Sequence, residues 1–543
     1  MSAEANTERA FARQSIDATR DPSEGFGPRR REIELKLEIR PSDIGRLSRL
    51  KGLPAARLGQ ARAEQLFTVY FDTETCALRK AGLSLRLRHE GTRRVQSVKS
   101  APLDQSLAAD RAEDEVLLNG KGPDISHIAN IALRDQVTAA AAGAPLRPLF
   151  ETQVLRTTRH IKTDAGDDIE LVVDVGQVRA DRGDRPLAEL ELELKGGSRA
   201  ALYKLARALN EEAPLRVLTL TKADRGYELL GTAVPEPAKA LPVALAADAS
   251  AGAALKAILS ACLGHLMANE PATVERQDVE GLHQMRVALR RLRTAFAIFD
   301  KPATHPPLAM LVEEARWLSR CLGEARDLDV FKDEIMTPVA KAFPEDQAFG
   351  LLAEAAEKAR ALAWTEVLTA VNSGRYTAFV LDLAAIIEQD GLGAAHAETH
   401  ALLALPARAF ASTAIEALFD KCRRLAKKLP NLEWSECHRL RRRLKRLRYG
   451  AEFFLSLYPE DDTGRYIKRL ARLQNTFGAL NDAATAQRIV DALINKNPNG
   501  LETLAWAGGI VVGWHQHTAR AMRKAGAKCW DELSRVEPFW REA

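Results

Sequence analysis

The stretch that decides how the first part of the chain is interpreted is Glu32-Ile33-Glu34-Leu35-Lys36-Leu37-Glu38-Ile39. Its charged and aliphatic residues alternate strictly. This predicts a β-strand, because successive side chains of a strand point to opposite faces. On its own, the pattern is typical of a half-buried strand whose charged face contacts water.

Several later segments repeat this alternation with charges of either sign. The run 83–88 places Arg86 and Arg88 on one face, the run 96–99 adds Lys99, and the run 187–195 alternates glutamate with leucine. If these charged faces line the inside of a closed barrel, the interior is a charged tunnel. Carboxylates bind divalent cations, and Arg and Lys bind phosphate groups, so such a tunnel suits a metal-bound chain of phosphates.

The Glu32-x-Glu34-x-Lys36 pattern resembles the ExExK signature of the CYTH superfamily, the triphosphate tunnel metalloenzymes. Further charged residues follow in the order of that family over roughly residues 30–230, ending with Lys222 in Thr-Lys-Ala-Asp-Arg-Gly. The resemblance implies an eight-stranded antiparallel β tunnel that hydrolyses or transforms triphosphates with a divalent metal, Mg²⁺ or Mn²⁺.

The same resemblance implies roles for individual residues. The residues expected to act in catalysis are Glu32, Glu34 and Lys36. The expected metal ligands are Glu32, Glu34, Asp174, Glu189, Glu191 and Glu193, with only two of the last three needed. The residues expected to bind substrate phosphates are Lys36, Arg86, Arg88, Lys99, Arg156, Arg159 and Lys222, with Arg159 replacing or supporting Arg156. Two interpretations, a tunnel role or a salt-bridged barrel wall, stay open for Arg111, Glu113 and Glu115.

Changes in composition and periodicity predict the domain boundaries. Residues 1–29 are polar and aperiodic and are expected to form a mobile tail, and residues 30–232 form the predicted tunnel domain. Residues 233–250, which contain three prolines, are a predicted linker. Helical periodicity then predicts a helical domain over residues 251–536. The predicted fold class is therefore α+β, a β tunnel followed by an all-α duplicated bundle.

The helical part contains an internal repeat with an offset of 155 residues. His283-Gln-Met-Arg-Val-Ala-Leu-Arg290 returns as His438-Arg-Leu-Arg-Arg-Arg-Leu-Lys445. Two copies imply a duplicated bundle with pseudo-two-fold symmetry. In each copy the His and Arg residues share one helix face, opposite an aliphatic stripe. Such a face is often only solvated, but two of them meeting across the axis form a groove for a polyanion.

This second half resembles a CHAD domain, the conserved histidine α-helical domain, over about residues 251–536. The resemblance implies inorganic polyphosphate as the ligand. The implied polyphosphate-binding residues are His283, Arg286, Arg290, Arg291, Arg293, His438, Arg441, Lys445, Arg446 and Arg448. We expect the two histidines to contact phosphate or to form hydrogen bonds rather than to bind metal. We expect Asp327 and Asp482 to orient basic side chains or to cap a helix.

Composition restricts the class of protein further. The chain has 543 residues, 46% hydrophobic and 28% charged, with a net charge of +5. These values are typical of a protein with about two to four domains. Six cysteines without CxxC spacing indicate reduced thiols and no zinc site. With no secretory signal, and with an apolar stretch at 504–514 too short to cross a bilayer, we expect a cytoplasmic protein without a membrane partner.

The leading functional hypothesis is a metal-dependent inorganic triphosphatase that cleaves tripolyphosphate to pyrophosphate and phosphate and carries a polyphosphate-binding helical domain. A first alternative is a polyphosphate-binding or granule-associated protein whose tunnel is weakly active or only binds. A second alternative keeps the catalysis but changes the substrate to thiamine triphosphate, a nucleoside triphosphate, or ATP for cyclisation. Nucleic acid is not an expected partner, because no aromatic residues lie among the basic stripes.

Overall fold

The fold is taken from a computed structural model that describes residues 30–48, 56–90, 93–104, 106–120, 122–232, 234–300, 306–389, 397–429, 434–497 and 500–541. The predicted tail, residues 1–29, lies outside this range. The chain divides into two compact units. The first contains Ala108–Leu202, Leu220–Val234 and the described residues up to Asp104. The second contains Tyr203–Thr219 and the described residues from Pro235 onward, together with residues 106 and 107.

The first unit is built on a closed antiparallel barrel of eight strands. The strands of the closed barrel are β1 Arg30–Ile39, β3 Arg62–Asp72, β4 Ser84–Glu90, β5 Arg93–Lys99, β6 Ala109–Leu118, β7 Arg147–Thr163, β8 Asp168–Ala180 and β9 Gly183–Gly196. Around the barrel the order is β1-β6-β5-β4-β3-β7-β8-β9, and β9 pairs with β1 to close it. A short strand β2, Ala56–Leu58, adds to β7, and a tenth strand, β10 Leu215–Val217, belongs to the second unit.

The aliphatic face of the strands points away from the barrel axis and is covered. Leu35 and Leu37 are fully buried on this face of β1. Leu85 and Val98 pack with residues of the helix Ile131–Ala141 in one apolar cluster. On β1, β4 and β5 the alternation seen in the sequence therefore gives an apolar outer face and a charged inner face, the reverse of a strand with a solvated charged face. The remaining helical turns of this unit are Pro41–Asp43, Ile44–Ser48, Ala77–Lys80, Ile125–His127 and Lys222–Leu229, and Arg199–Glu212 starts in it.

The second unit is helical, as expected. Its long elements are Ala251–Arg276, Val279–Ile298, Pro306–Cys321, Gly323–Val330, Gln347–Val371, Gly374–Glu388, Ala397–Ala404, Ala407–Ala426, Trp434–Glu452, Glu460–Thr476, Gly478–Lys496 and Leu501–Ser534. A π-helical turn, Phe331–Met336, leads into the short helix Thr337–Ala340, and Leu455–Leu457 forms a single 3₁₀ turn. The two repeat motifs lie on Val279–Ile298 and Trp434–Glu452, which pack against each other.

The helix Ala251–Arg276 is long and apolar enough to cross a membrane by length and composition alone. However, 56% of its most apolar window is buried inside the protein. A buried core helix passes the same test, so this helix is weak evidence for a membrane segment.

The predicted linker packs along the helical unit in the described residues 235–250. The amide of Ala238 donates to Asn269, and the carbonyl of Ala238 lies 3.1 Å from Nε2 of His265. Further along, Leu245 N donates to Ser456 Oγ at 3.0 Å. The Pro-rich segment is thus fixed by hydrogen bonds to that unit. None of the six cysteines, all within the described residues, forms a disulfide.

Candidate functional site

Strand register places the predicted site residues of neighbouring strands on one face. Lys36 of β1 lies opposite Glu191 of β9, and Asp174 of β8 lies opposite Glu189. Arg156 of β7 in turn lies opposite Asp174. Residues directly opposite each other in an antiparallel pair project to the same side. All five side chains therefore enter the barrel interior, where they form what we call the interior charge cluster together with Glu34 and Lys222.

Two lysines hold the carboxylates of the interior charge cluster together. Lys36 Nζ lies 2.6 Å from Glu34 Oε1 and 2.5 Å from Glu191 Oε1. Lys222 Nζ lies 2.6 Å from the same oxygen of Glu191 and 2.9 Å from both Asp174 and Glu189. Glu191 thus bridges the two ammonium groups.

Arg156 makes the planar contact of the cluster. Its Nε and Nη2 donate to the two oxygens of Asp174 at 2.8 and 2.6 Å, and Nη2 also donates to Glu191 at 3.1 Å. Asp174 is fully buried, whereas Arg156 keeps 21% of its side chain exposed. The guanidinium can therefore contact an anion in the tunnel while its carboxylate partner holds it in place.

Lys222 is held in place by the first turn of the helix Lys222–Leu229. Thr221 caps this helix and forms a capping box with Asp224, so the chain enters the helix with Lys222 as its first residue. Gly226 packs against the ring of Phe150, where a Cβ would collide with the aromatic atoms. The glycine lets the helix lie close to the barrel and brings the lysine into the interior.

Arg225 is a member of this site that sequence reasoning missed. It is only 3% exposed and lies 3.3 Å from Glu189 and 3.6 Å from Glu38. The available signal was its position three residues after Lys222, which places both on one face of the helix.

A second group of charges lines the interior on the side of β4, β5 and β6. Lys99 Nζ lies 2.7 and 2.5 Å from the two oxygens of Glu32 and 3.2 Å from Glu113. Arg86 lies 4.0 Å from Glu113, and Arg88 lies 3.6 Å from Glu115. Glu113 and Glu115 thus pair with the interior cations. Arg111 is opposite Glu32 in the register, and its buried Nε has no hydrogen-bond partner among the described residues.

Burial and neighbouring charges shift the pKa values of the cluster in opposite directions. Burial, together with the charge of Glu191, raises the pKa of Glu34 to about 7 despite the opposing effect of Lys36. Burial alone would also raise the pKa of Asp174 and Glu191, but the adjacent Arg156 and Lys222 outweigh it and lower both. Of these three carboxylates, Glu34 is therefore the one whose pKa lies near neutral pH.

The donor chemistry of the cluster fits a hard divalent cation. Glu34, Asp174, Glu189 and Glu191 supply carboxylate oxygens, which Mg²⁺ and Mn²⁺ prefer. Both oxygens of Glu189 are buried without a hydrogen bond, although Lys222 and Arg225 lie close by. Within the described residues no three His, Cys, Asp or Glu side chains are grouped as metal ligands. Lysines and arginines stand between the carboxylates, so a cation would have to displace some of these contacts.

Two predicted residues lie apart from the cluster. Arg159 is three residues from Arg156 and pairs with Leu171, which places it on the outer face of β7. It therefore cannot replace Arg156 inside the barrel. Glu193 shares the interior face, opposite Glu34, but forms an ion pair with Lys195 at 2.6 Å. Glu189 and Glu191 are consequently the two glutamates of β9 that belong to the interior charge cluster.

In the helical unit the two repeats bring their basic residues together. Burial, together with the charges of Arg290, Arg441, Arg286 and Arg448, lowers the pKa of the Lys445 amine to about 7. We call these five residues the central basic cluster. Three of them have partners: Arg286 lies 3.5 Å from Asp327, Arg441 donates to Asn481 at 2.8 Å, and Arg448 donates to Glu452 at 2.7 Å. Arg488, which sequence reasoning missed, also binds Asp327 at 2.6 Å.

Both histidines of the repeat border this cluster. Burial and the nearby Arg326 and Arg290 lower the pKa of His283 to about 4, and burial lowers the pKa of His438 as well. These shifts favour the neutral form of both imidazoles. The buried Nδ1 of His438 has no hydrogen-bond partner among the described residues. A neutral imidazole is suited to a hydrogen bond with an anion rather than to charge neutralisation.

The environment of Arg291 indicates a structural role and not the polyphosphate-binding role expected for it. It is 6% exposed, lies 3.6 Å from Glu452, and its guanidinium packs over the ring of Phe453. Its equivalent Arg446 is exposed and lies near Arg293, together with Arg316 and Arg320. The repeat is therefore not symmetric at this position, because no residue equivalent to Glu452 follows the first motif: residue 297 is alanine.

Comparison with known proteins matches both units. The CYTH family model matches residues 30–227, and the CHAD family model matches residues 257–491. An inorganic triphosphatase of Haemophilus influenzae is 29% identical over 206 residues, which cover 37% of this chain and 55% of that protein. An uncharacterized protein of Mycobacterium tuberculosis is 25% identical over 451 residues, covering 77% of this chain and 82% of that protein.

Two solved structures are also similar. A CHAD domain from the plant Ricinus communis is 32% identical, with 96% of it and 54% of this chain covered and a TM-score of 0.48. A protein from Hippeastrum, described as a putative adenylyl cyclase with a dominant triphosphatase activity, is 19% identical, with 98% of it and 38% of this chain covered and a TM-score of 0.27.

A closed antiparallel barrel with a charged interior, followed by a duplicated helical unit, defines a two-part class of protein. The chain belongs to it through both halves: residues 30–227 are a CYTH domain, and residues 257–491 are a CHAD domain.

Proposed function

We propose that the barrel unit is a divalent-metal-dependent inorganic triphosphatase that cleaves tripolyphosphate to pyrophosphate and phosphate. The observation that carries this proposal is the interior charge cluster, in which Arg156 and Lys222 converge on the buried carboxylates Asp174 and Glu191. The similarity to the H. influenzae triphosphatase supports a triphosphatase as the general class, and it spans only 55% of that protein.

The charged residues suggest a division of tasks along the tunnel. Arg86, Arg88 and Lys99 would bind phosphate oxygens on one side, and Lys36, Arg156 and Lys222 on the other. Glu32, Glu34, Asp174, Glu189 and Glu191 would hold the cation. The chemistry that a bound divalent cation supplies is neutralisation of phosphate charge and activation of water. Positioning of the phosphates and compensation of their charge are the main requirements of phosphoryl transfer, and the protein's own side chains meet both.

An inorganic substrate is favoured over a nucleotide by the aromatic residues next to the tunnel. Tyr70 lies opposite Arg86 in the register, where its ring could have stacked on a base. Instead it stacks on Phe150 at a centroid distance of 4.8 Å, and Tyr227 packs edge-on against the same ring at 5.0 Å. The hydroxyl of Tyr227 donates to the buried Asp72 at 2.7 Å. These rings form part of the core and are not free to recognise adenine or thiamine.

The test of this proposal is phosphate release from tripolyphosphate, ATP and thiamine triphosphate, measured with Mg²⁺, with Mn²⁺ and with EDTA. We expect rapid metal-dependent release from tripolyphosphate and much slower release from the other two. Faster release from ATP or thiamine triphosphate would reassign the substrate, and no release from any of them would exclude a triphosphatase.

For the helical unit we propose binding of inorganic polyphosphate at the central basic cluster. The supporting observation is that five basic residues from two helices lie together, with Asp327, Glu452 and Asp482 as carboxylates near them. Association with polyphosphate granules in the cytoplasm belongs to the same proposal. Titration of the protein with long-chain polyphosphate, at several salt concentrations and in EDTA, tests it, and the affinity should fall steeply as salt rises.

The granule-binding alternative, with a tunnel that only binds, is separated from the enzyme by the same two assays. Polyphosphate binding without release of phosphate from any substrate would favour the alternative. Release of phosphate without polyphosphate binding by the helical unit would support only the triphosphatase proposal.

A further inference from the structure

The last helix, Leu501–Ser534, has one buried side, on which Leu504 and Val511 pack into the helical unit. The opposite side of a surface helix is normally polar. Here it carries two large aromatic side chains, since Trp506 is 61% exposed and Trp514 is 46% exposed. Apolar groups left in water on one side of a helix indicate a surface that contacts a partner.

The exposed residues next to these tryptophans form a continuous surface. In a projection down the helix axis, seven exposed positions fall within a sector of about 100°. We call this sector the tryptophan face, and its residues are Glu502, Ala505, Trp506, Gly509, Gly513, Gln516 and Arg520. A Cβ built on either central glycine would meet no described atom within 4 Å. The helix backbone is therefore open to the close approach of a second helix at this point.

Trp506 is held in a fixed orientation although its ring is exposed. Its Nε1 donates a hydrogen bond to Oδ2 of Asp346 at 3.0 Å. Asp346 is itself fixed, because it caps the helix Gln347–Val371 by accepting a hydrogen bond from the amide of Ala348. A tryptophan ring that is already ordered loses little conformational entropy when a partner covers it. Tryptophan is also among the residue types that dominate the affinity of protein interfaces.

The two ends of the tryptophan face carry opposite charges, Glu502 and Arg520, and each lies nine residues from Val511. Within the described residues neither of these side chains has an ion-pair partner. In a two-fold symmetric pair, residue i of one copy contacts residue j of the other, and j contacts i. An antiparallel pair of these helices, centred at the level of Val511, places Glu502 of each copy beside Arg520 of the other. It also places Gly509 beside Gly513 in the middle, whereas a parallel pair would bring like charges together.

We propose that the tryptophan face joins two copies of this chain through an antiparallel, two-fold symmetric pair of their last helices. The glycines let the two backbones approach, each Trp506 covers the other helix beside Gln516, and the ion pairs between Glu502 and Arg520 close both ends. The interface is at the small end of the range for specific complexes, so we expect a dissociation constant on the order of 10 μM. The inference does not depend on the proposed triphosphatase activity or on polyphosphate binding.

The experiment is sedimentation equilibrium of the full chain at concentrations between about 1 and 100 μM. The buffer contains EDTA and no polyphosphate, because a shared polyanion would also link two copies. We expect the mass of the wild type to rise from that of one chain towards that of two chains.

Gly513→Gln tests the close approach of the two helices. The new side chain enters open space in the single chain, and glutamine favours a helix more than glycine does, so the thermal midpoint of the dilute protein should rise. The same side chain would separate the two helices, and dimerisation should weaken at least about tenfold. Gly464→Gln is the matched control, because Gly464 is an exposed glycine with equally open surroundings on the helix Glu460–Thr476. It should leave dimerisation unchanged.

Reversing the charges tests the antiparallel pairing. Glu502→Lys and Arg520→Glu should each weaken dimerisation roughly tenfold, because each places like charges together at both ends of the pair. An equimolar mixture of the two variants should associate as tightly as the wild type, since the mixed pair again has opposite charges at both ends. Glu366→Lys, at an exposed position on Gln347–Val371, is the matched control and should behave as the wild type.

A wild type that stays monomeric over the whole concentration range would overturn the inference. So would dimerisation that Gly513→Gln leaves unchanged, or a charge-reversed mixture that associates no more tightly than its components. Binding of a monomeric wild type to phosphatidylcholine vesicles, lost in Trp506→Ala, would assign the tryptophan face to a lipid surface instead.

Discussion

Arg156 and Asp174 lie directly opposite each other on β7 and β8 and form two parallel hydrogen bonds of 2.8 and 2.6 Å inside the barrel. The carboxylate has no exposure to solvent, so the pair is both a part of the proposed phosphate site and a condition for the stability of the barrel.

Replacing Arg156 with alanine should destabilise the barrel unit. Removing one partner of a buried ion pair costs about 3–5 kcal/mol, and we expect a loss of about 3 kcal/mol because Lys222 still lies 2.9 Å from Asp174. Urea unfolding of the variant measures this loss. The double variant Arg156→Ala/Asp174→Asn should recover part of it, and a double variant less stable than the single one would contradict the explanation.

Replacing Arg88 with alanine should lower kcat/KM for tripolyphosphate by about 10- to 100-fold, the value of a hydrogen bond to a charged group. Arg88 faces the interior, and its guanidinium lies 3.6 Å from Glu115, on the side of the barrel where an anion in the tunnel can be contacted. Arg159→Ala is the matched control, because Arg159 lies on the outer face of β7. A similar loss of activity in both variants would argue against the charged interior as the substrate site.

Stability should depend on pH through Glu34. Its pKa of about 7 in the folded protein lies above its ordinary value of 4.5, so the folded state binds this proton more tightly than the unfolded state does. The free energy of unfolding should therefore fall by about 3 kcal/mol as pH rises from 4.5 to 7, and then level off.

The comparison that isolates this effect is between the wild type and Glu34→Gln, unfolded in EDTA at pH values from 5 to 8. Glutamine imitates the protonated carboxyl, so the variant should lack this part of the pH dependence. An unchanged slope in the variant would assign the effect to another group.

Asp327 should limit polyphosphate affinity, because its carboxylate occupies Arg286 at 3.5 Å and Arg488 at 2.6 Å. Asp327→Asn frees both guanidinium groups, and we expect about three- to tenfold tighter binding with a steeper salt dependence. Fluorescence titration at two salt concentrations measures both quantities. The equivalent substitution Asp482→Asn, made in the second repeat, shows whether the effect belongs to the pair of arginines or to any loss of negative charge. Weaker binding by Asp327→Asn would contradict the prediction.

Alanine substitutions of the adjacent residues Arg290 and Arg291 should have opposite effects, one on polyphosphate binding and the other on stability. Arg291→Ala should destabilise the helical unit by about 3 kcal/mol, because it leaves Glu452 without this partner and removes packing from Phe453. Arg290→Ala should weaken polyphosphate binding without lowering the thermal midpoint, since it removes a repulsive charge. Equal destabilisation by the two variants would show that Arg290 is also a structural residue.

Much of the barrel was predictable from local pattern, because a period of two fixes which residues share a face. The same rule places Arg156 and Arg159, which are three residues apart, on opposite faces of β7. They were grouped as phosphate-binding residues only because both are arginines. The choice between Glu191 and Glu193 was not predictable, because it depends on the register of β9 against β1 and on Lys195 as a competing partner.

In the helical unit the sequence predicted which helix face is basic, but it did not predict the contacts and burial of each arginine. Arg290 and Arg291 are neighbours in one motif, and only the distant Glu452 and Phe453 decide that the second is buried. Arg225 and Arg488 were missed for a related reason, since each acquires its role from carboxylates far away in the sequence.

The pairing of the first strand with the last has a consequence for biosynthesis. Glu34 of β1 lies opposite Glu193 of β9, and Lys222, which contacts the nearby Glu191, comes later still. During synthesis from the N-terminus, the first strand therefore leaves the ribosome long before β9 and Lys222 exist. The barrel forms by closing a loop of most of its own length, which is slow for a β-rich domain.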